Sequence, residues 1–373
     1  MRIAVDLVYF TGKKGGTETY ARSLYTAIGR AYPDVELVGL VNSELRQAPP
    51  DWFPGETVSL PVSGENRVAW ALAENTLVPA AASWVRADVL HCPANFGPAL
   101  SRVPVVLTVH DLLGFRFPDL VSAGSARVVQ SLTHTSVHGA RTLMTDSESS
   151  AADLREFLSV PPGRVEVVPL AAADPTTSAG TPTPPNRQPF LLSTGNRLPH
   201  KNFPTLLRAL AMIPPAERPL LVLTGSHGED PLRPLVAELG LVDDVELLGW
   251  VGADQLEVLY RDAVAYLLPS RFEGFGLPVL EAMARGCPVV CSDIPVLREV
   301  GGGAALYVDT LAPEVLASTV RRLLADEALR ADLAAAGVER AKRFSWNRVA
   351  DATMAVLSRA SHRKALWPGT ANF

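Results

Sequence analysis

The chain has 373 residues, 47% of them hydrophobic, which is enough to bury a large core, favours two domains over one and excludes disorder as the main state. Its formal charge of −5 leaves no cationic excess to neutralise a phosphate backbone, which argues against a nucleic-acid partner. Three cysteines, Cys92, Cys287 and Cys291, are too few and too scattered for a disulfide framework, and point to a reducing compartment and to packing roles.

Residues 2–10 read as a strand, without the charged start, apolar core and small-residue cleavage site of a signal peptide. No apolar run reaches the roughly 18 residues of a membrane-spanning helix, so a cytoplasmic protein is expected. A Gly/Lys loop follows at 11–16 and a helix over 17–30. Gly15 and Gly16 free the backbone, Thr17 is placed to cap the helix, and a helix N-terminus favours an anion. Taken alone, the same residues also make a plain turn. Strand patterns recur at 35–41, 87–91, 103–109, 142–145 and 165–168, with helical patterns between several of them. Such alternation predicts a parallel sheet with helices on both faces, and ligands beyond the carboxyl ends of its strands. His91 and His110 stand at two such ends. His134 and His138 share a helix face at a spacing some zinc sites use, but no Glu or Cys falls at a suitable offset, and a solvated face is expected.

From 171 to 189 the chain turns to Pro, Thr, Ala and Ser without periodicity, as a linker does. Strand patterns resume at 190–193, 220–223, 245–248, 263–268, 288–291 and 305–308, which predicts a second doubly wound unit, followed by helical segments over 313–343 and 346–361. The first of these strands leads into STGNRLPHKNFPTLL, which places Arg197 and Lys201 in a strand-to-helix loop where cations can meet an anion. The stretch PSRFEGFGLPVLEAMARG, residues 269–286, joins another strand to a helix whose first turn suits Pro278. Gly274 and Gly276 permit unusual backbone angles, and the amides of Phe275, Gly276 and Leu277 are placed to hold a diphosphate at the helix N-terminus. Glu273 and Glu281 frame this turn; carboxylates repel phosphate but accept hydrogen bonds from hydroxyls, so sugar hydroxyls suit them. A capping Glu and an exposed helical Glu are the plainer reading of such a pair.

The run FEGFGLPVLEAMARGCPVV resembles the signature of retaining nucleotide-sugar glycosyltransferases of family 4, in which two glutamates are separated by seven residues. The resemblance spans nearly the whole chain and is dense in its second half. It implies the GT-B architecture: α/β, with two Rossmann-like doubly wound parallel-sheet domains facing across a cleft. Residues 1–172 would be the acceptor-side domain, 173–188 the linker, 189–345 the nucleotide-sugar domain, and 346–373 a helix crossing back to the first. It implies catalytic roles for Glu273, His110, Lys201 and Arg197, with His110 reaching a donor-sugar hydroxyl and the two cations reaching the diphosphate. Donor binding falls to Gly15, Gly16, Thr17, Gly274, Phe275, Gly276, Leu277 and Glu281, the last at the ribose hydroxyls. A hexosyl group would pass from a nucleoside-diphosphate sugar to a hydroxyl of a glycan, small-molecule or lipid-linked acceptor. No cofactor and no metal are expected, since the chain contains no Asp-x-Asp triplet. A soluble acceptor is favoured over membrane-surface association because no basic amphipathic helix is read.

Two other readings are weaker. An epimerase or dehydrogenase of sugar nucleotides would carry G-x-G-x-x-G after its first strand, where GKKGG stands. A non-catalytic sugar-nucleotide-binding subunit would be expected to lose Glu273, Lys201 or His110.

Overall fold

The apolar runs of the first half form the strands β1 (Arg2–Leu7), β2 (Glu36–Val41), β3 (Glu56–Ser59), β4 (Val89–Cys92), β5 (Val105–Val109), β6 (Thr142–Thr145) and β7 (Val165–Val167). They pair in the order β3-β2-β1-β4-β5-β6-β7, each with a parallel neighbour. β4 and β5 are buried along their whole length, and strands covered on both faces need no alternation of apolar and polar residues. β1 ends at Leu7, earlier than its apolar run, because the Phe10 amide bonds to the Leu7 carbonyl and turns the chain.

The second half repeats the pattern with β8 (Phe190–Thr194), β9 (Leu220–Ser226), β10 (Val245–Gly249), β11 (Ala265–Leu268), β12 (Val289–Ser292) and β13 (Leu306–Val308). Their order is β10-β9-β8-β11-β12-β13, again parallel throughout. In both sheets the strand order reverses beside the first strand, between β1 and β4 and between β8 and β11. Loops leaving the carboxyl ends of two such strands diverge and open a crevice, the usual ligand position of these folds.

The computed structural model describes residues 1–12, 15–48, 50–120, 123–173 and 188–362. Most of the expected linker, 174–187, therefore lies outside the described residues, as do Lys13 and Lys14. The chain divides into two units, one of Met1–Leu170 with the final helix Trp346–His362 and one of Ala171–Ser345. That helix packs on the helix Gly16–Ala31 of its own unit; the Tyr32 hydroxyl donates to Asp351 at 2.7 Å, and Arg359 pairs with Glu166 at 2.9 Å. The helical run expected over 313–343 is two helices, Pro313–Ala325 and Glu327–Ala341. Asp326 leaves helical angles (φ −112°, ψ 93°) and its carboxylate accepts the Leu329 amide at 2.9 Å, capping the second.

All three cysteines are free and buried, and burial pushes the thiols of Cys287 and Cys291 up to about 12, so they stay neutral and serve packing. Among the described residues no helix is long and apolar enough to cross a membrane.

Candidate active site

In the second unit the loops after β8 and β11, on either side of the strand reversal, are fastened together. The Arg271 amide donates to the His200 carbonyl at 2.7 Å, and the Ser193 hydroxyl to the Leu267 carbonyl at 2.6 Å. The first loop tightens into a short 3-10 turn, Pro199–Lys201, which ends at Asn202; the Asn202 side chain donates to the Thr310 carbonyl at 3.0 Å. This anchorage brings Lys201 Nζ to 2.7 Å from Glu273 Oε1, with side chains only 13% and 10% exposed. Gly195, at φ +140°, takes a backbone conformation that favours glycine, and the Lys201 stem packs alongside it.

Four residues beyond Glu273 the helix Leu277–Ala284 begins, with Pro278 in its first turn and no side chain capping it at Gly276. Gly276 adopts φ +99°, a backbone conformation that strains any residue with a Cβ, and a Cβ there would stand 2.5 Å from Leu297 Cδ2 and oblige that side chain to shift. The first amides of an uncapped helix form an anion site, strengthened by the positive end of the helix dipole. Lys201, Glu273 and the amides of Gly274, Phe275, Gly276 and Leu277 thus belong to two neighbouring loops at one sheet edge.

Glu281 lies in the second turn of that helix. The Tyr260 hydroxyl donates to its Oε2 at 3.0 Å, and Tyr260 and Tyr266 reach Thr194 at the end of β8. Burial raises the Glu281 carboxyl above the usual carboxylate range, against the pull of Tyr260 and the nearby Arg285 cation. Neither tyrosine carried a signal in the sequence, since each is an apolar-looking position of a buried element.

Arg197 faces away from open solvent. Its Nε and Nη2 donate to the Asp230 carboxylate at 3.1 and 2.8 Å, its Nη1 to the carbonyls of Gly195 and Thr224, and its guanidinium lies over the Phe203 ring at 4.8 Å. With side chains 6% and 5% exposed, Arg197 and Asp230 form a buried ion pair that ties the β8 and β9 loops together. Here the structure gives Arg197 a bracing role that a basic residue in a loop did not announce.

In the first unit, His110 follows β5 and Asp146 follows β6, so adjacent parallel strands deliver both to one end of the sheet. His110 Nδ1 lies 2.7 Å from Asp146 Oδ2 and Nε2 lies 3.0 Å from the Pro93 carbonyl, so both ring nitrogens face acceptors. Burial opposes the imidazolium, but Asp146 and the Pro93 carbonyl outweigh it and hold the His110 value above that of a free imidazole. Asp146 has the same strand-end position in the sequence that marks His110, at the end of the next strand. His91 is wholly buried between Tyr25 (2.6 Å) and Thr108 (2.9 Å), and burial lowers its value to about 3, which makes it a neutral packing residue.

A raised folded value means that the folded state holds the His110 proton more tightly than the unfolded chain does. The stability it contributes is complete below the unfolded value of about 6.5 and fades as pH rises through the folded value. Burial raises the Asp146 carboxyl as well, so in urea melts across this range the control that lacks both groups is the double variant His110→Gln with Asp146→Asn, and the wild type is expected to lose stability that this variant does not lose. Parallel curves for the two proteins would contradict the ion pair.

The turn after β1 differs from its expectation. Gly15, at φ 64° and ψ −129°, is the residue before the helix, so Thr17 falls inside the first turn and does not cap it. No side chain caps this helix; Glu18 Oε1 instead accepts the amides of Thr11 at 2.7 Å and Gly12 at 2.9 Å in the loop before it. Those two amides are therefore already satisfied by a carboxylate, and Gly15 and Gly16 supply the turn itself.

His134 and His138 are exposed and stacked at 4.2 Å, and among the described residues no group of three or more His, Cys, Asp or Glu is arranged to hold a metal.

The family described as "Glycosyl transferases group 1" matches residues 177–340, and that described as "Glycosyl transferase 4-like domain" matches residues 15–171. The O-antigen chain mannosyltransferase B of Escherichia coli is 31% identical over 295 residues, which cover 74% of this chain and 76% of that protein. Sucrose-phosphate synthase from Thermosynechococcus elongatus superposes with a TM-score of 0.76 at 22% identity, covering 96% of this chain and 98% of that one. HepE of Anabaena, solved in complex with UDP-glucose, does so with a TM-score of 0.70 at 21% identity, covering 96% and 100%. With two parallel α/β units, both family matches and this relative, the chain belongs to the group 1 glycosyltransferases and has the GT-B type of fold.

Proposed function

We propose that this protein is a retaining, metal-independent hexosyltransferase that uses a nucleoside-diphosphate sugar and glycosylates a hydroxyl of a glycan, small-molecule or lipid-linked acceptor. The Lys201–Glu273 pair, beside an uncapped helix N-terminus and between the two loops of the strand reversal, carries this reading. When a donor enters, its diphosphate offers Lys201 a second anion and the helix amides a ligand. As the bond between sugar and phosphate breaks, negative charge grows on the phosphate, and fixed positive groups stabilise that state more than the ground state. Glu273, released from part of its pairing, faces the positive charge that develops on the sugar ring. The leaving phosphate takes the acceptor's proton while the acceptor oxygen bonds the anomeric carbon from the same side. Glu281 holds the ribose hydroxyls. The donor side of this reading is supported by HepE, solved with UDP-glucose, and the hexosyl group by the mannosyltransferase relative.

Incubation with UDP-, GDP-, ADP- and dTDP-linked hexoses, with and without EDTA, tests it. Hydrolysis of at least one donor is expected, with the anomeric configuration of the released sugar retained by NMR and the rate unchanged by chelator. No turnover with any donor, an inverted product, or activity that EDTA abolishes and manganese restores would each overturn the corresponding part.

A further inference from the structure

Thr310 joins the two loops of the candidate site from the far edge of the second sheet. It is the second residue after β13, and the order β8, β11, β12, β13 puts three strand spacings, roughly 14 Å, between that strand and β8. The chain nevertheless folds back over the ends of β12 and β11. The Thr310 carbonyl accepts Asn202 Nδ2 at 3.0 Å, and its hydroxyl donates to the Pro269 carbonyl at 3.2 Å. Ser292 Oγ, at the end of β12, lies 2.7 Å from the same hydroxyl. Asn202 directly follows Lys201, and Pro269 is the first residue after β11, four before Glu273. Thr310, Asn202 and Ser292 are all buried, so a bond lost here is not replaced by one to bulk water.

Resting on the roles proposed above for Lys201 and Glu273, we infer that Thr310 is a positioning residue for the transfer reaction, holding the Glu273 loop through its hydroxyl and the Lys201 loop through its carbonyl. A hydroxyl has one proton to give. Directed at the Pro269 carbonyl, it leaves the Thr310 oxygen to accept from Ser292, whose alternative acceptor, the Leu268 carbonyl, is more distant at 3.3 Å. On the other arm the Asn202 amide is used at both ends, since its Oδ1 accepts the Thr205 hydroxyl at 2.8 Å. The Asn202 backbone is left-handed, φ 56° and ψ 29°, at the point where the chain leaves the turn that carries Lys201. Each arm thus ends within a few residues of one of the two charges that the reaction uses. A misplacement of about 1 Å, even from a change remote from the reacting atoms, is enough to cost on the order of a hundredfold in rate.

Thr310→Val keeps the shape and the carbonyl and removes the hydroxyl, so it cuts the Glu273 arm alone. Hydrolysis of whichever UDP-, GDP-, ADP- or dTDP-hexose the wild type turns over is expected to fall roughly tenfold to a hundredfold in kcat. Calorimetric affinity for the corresponding diphosphate should stay near that of the wild type, and Thr310→Ser should recover most of the loss. In Glu273→Gln the arm has no charge left to position, so there Thr310→Val should change kcat by less than about twofold. An equal fall in both backgrounds, or wild-type kcat in Thr310→Val, overturns the inference. Asn202→Gly tolerates the left-handed angle and cuts the Lys201 arm, and it should weaken the diphosphate by up to roughly tenfold. Should Thr310→Val fail to fold, this variant decides: unchanged kcat and affinity in it overturn the inference. Wild-type turnover in Glu273→Gln overturns instead the role given to Glu273, and a wild type that turns over no donor sinks both readings.

Discussion

Replacing Glu273 with Gln is expected to lower kcat by roughly 10²- to 10³-fold, the scale seen when one preorganised electrostatic partner of a transition state is removed. The substitution keeps the shape and the hydrogen-bonding length of the side chain. It removes only the charge that stands 2.7 Å from Lys201 and would face the sugar ring. Lys201, no longer held by a carboxylate, is freer to engage phosphate, so affinity for the nucleoside diphosphate should hold or rise. Lys201→Met behaves differently: it takes a cation from the phosphate and strands Glu273, which is 10% exposed, without its partner. Turnover, nucleotide affinity and stability should all fall in that variant. Steady-state kinetics beside calorimetry separates the two. Glu273→Gln with normal turnover but impaired nucleotide binding would reverse the roles given to the pair.

Arg197→Ala should cost about 3–5 kcal/mol of folding stability, because it leaves the Asp230 carboxylate buried and unpaired. Two carbonyls, of Gly195 and Thr224, lose their donor as well, and the Phe203 ring loses its cation. The penalty comes from the stranded charge more than from the pair's own strength, so neutralising both partners should restore most of it. Arg197→Met with Asp230→Asn is the suitable double variant, since the asparagine oxygen can still accept the Leu232 amide that Asp230 holds at 3.0 Å. Urea midpoints near the wild type for the double variant, with the single variant far below, are the expected result. The same double variant separates bracing from phosphate binding: unchanged nucleotide affinity assigns Arg197 to the brace, and a tenfold or greater loss assigns it to the diphosphate as well.

Local chemistry explains why so much of the architecture could be read along the chain. A strand covered on both faces reads as a short unalternating apolar run, while Gly276 permits a left-handed turn and Pro278, with its fixed φ, favours a helix start, each through its own backbone. The two parallel units and the strand-to-helix turn between Glu273 and Glu281 follow from such terms. Pairing across distance does not. Lys201 meets Glu273 across 72 residues, and His110 meets Asp146 across 36, only because β11 lies beside β8 and β6 beside β5. No spacing in the sequence states which strands become neighbours, since that choice is made by how helices pack on the two faces of each sheet. The same holds for Arg197, whose partner Asp230 comes from the loop after the adjacent strand β9, and for Glu281, whose partner Tyr260 lies in the last turn of the helix Ala253–Asp262. Even a local expectation yields where the tertiary turn intervenes: Thr17 has the right side chain for a cap, but the left-handed angle at Gly15 starts the helix earlier and gives the loop amides to Glu18.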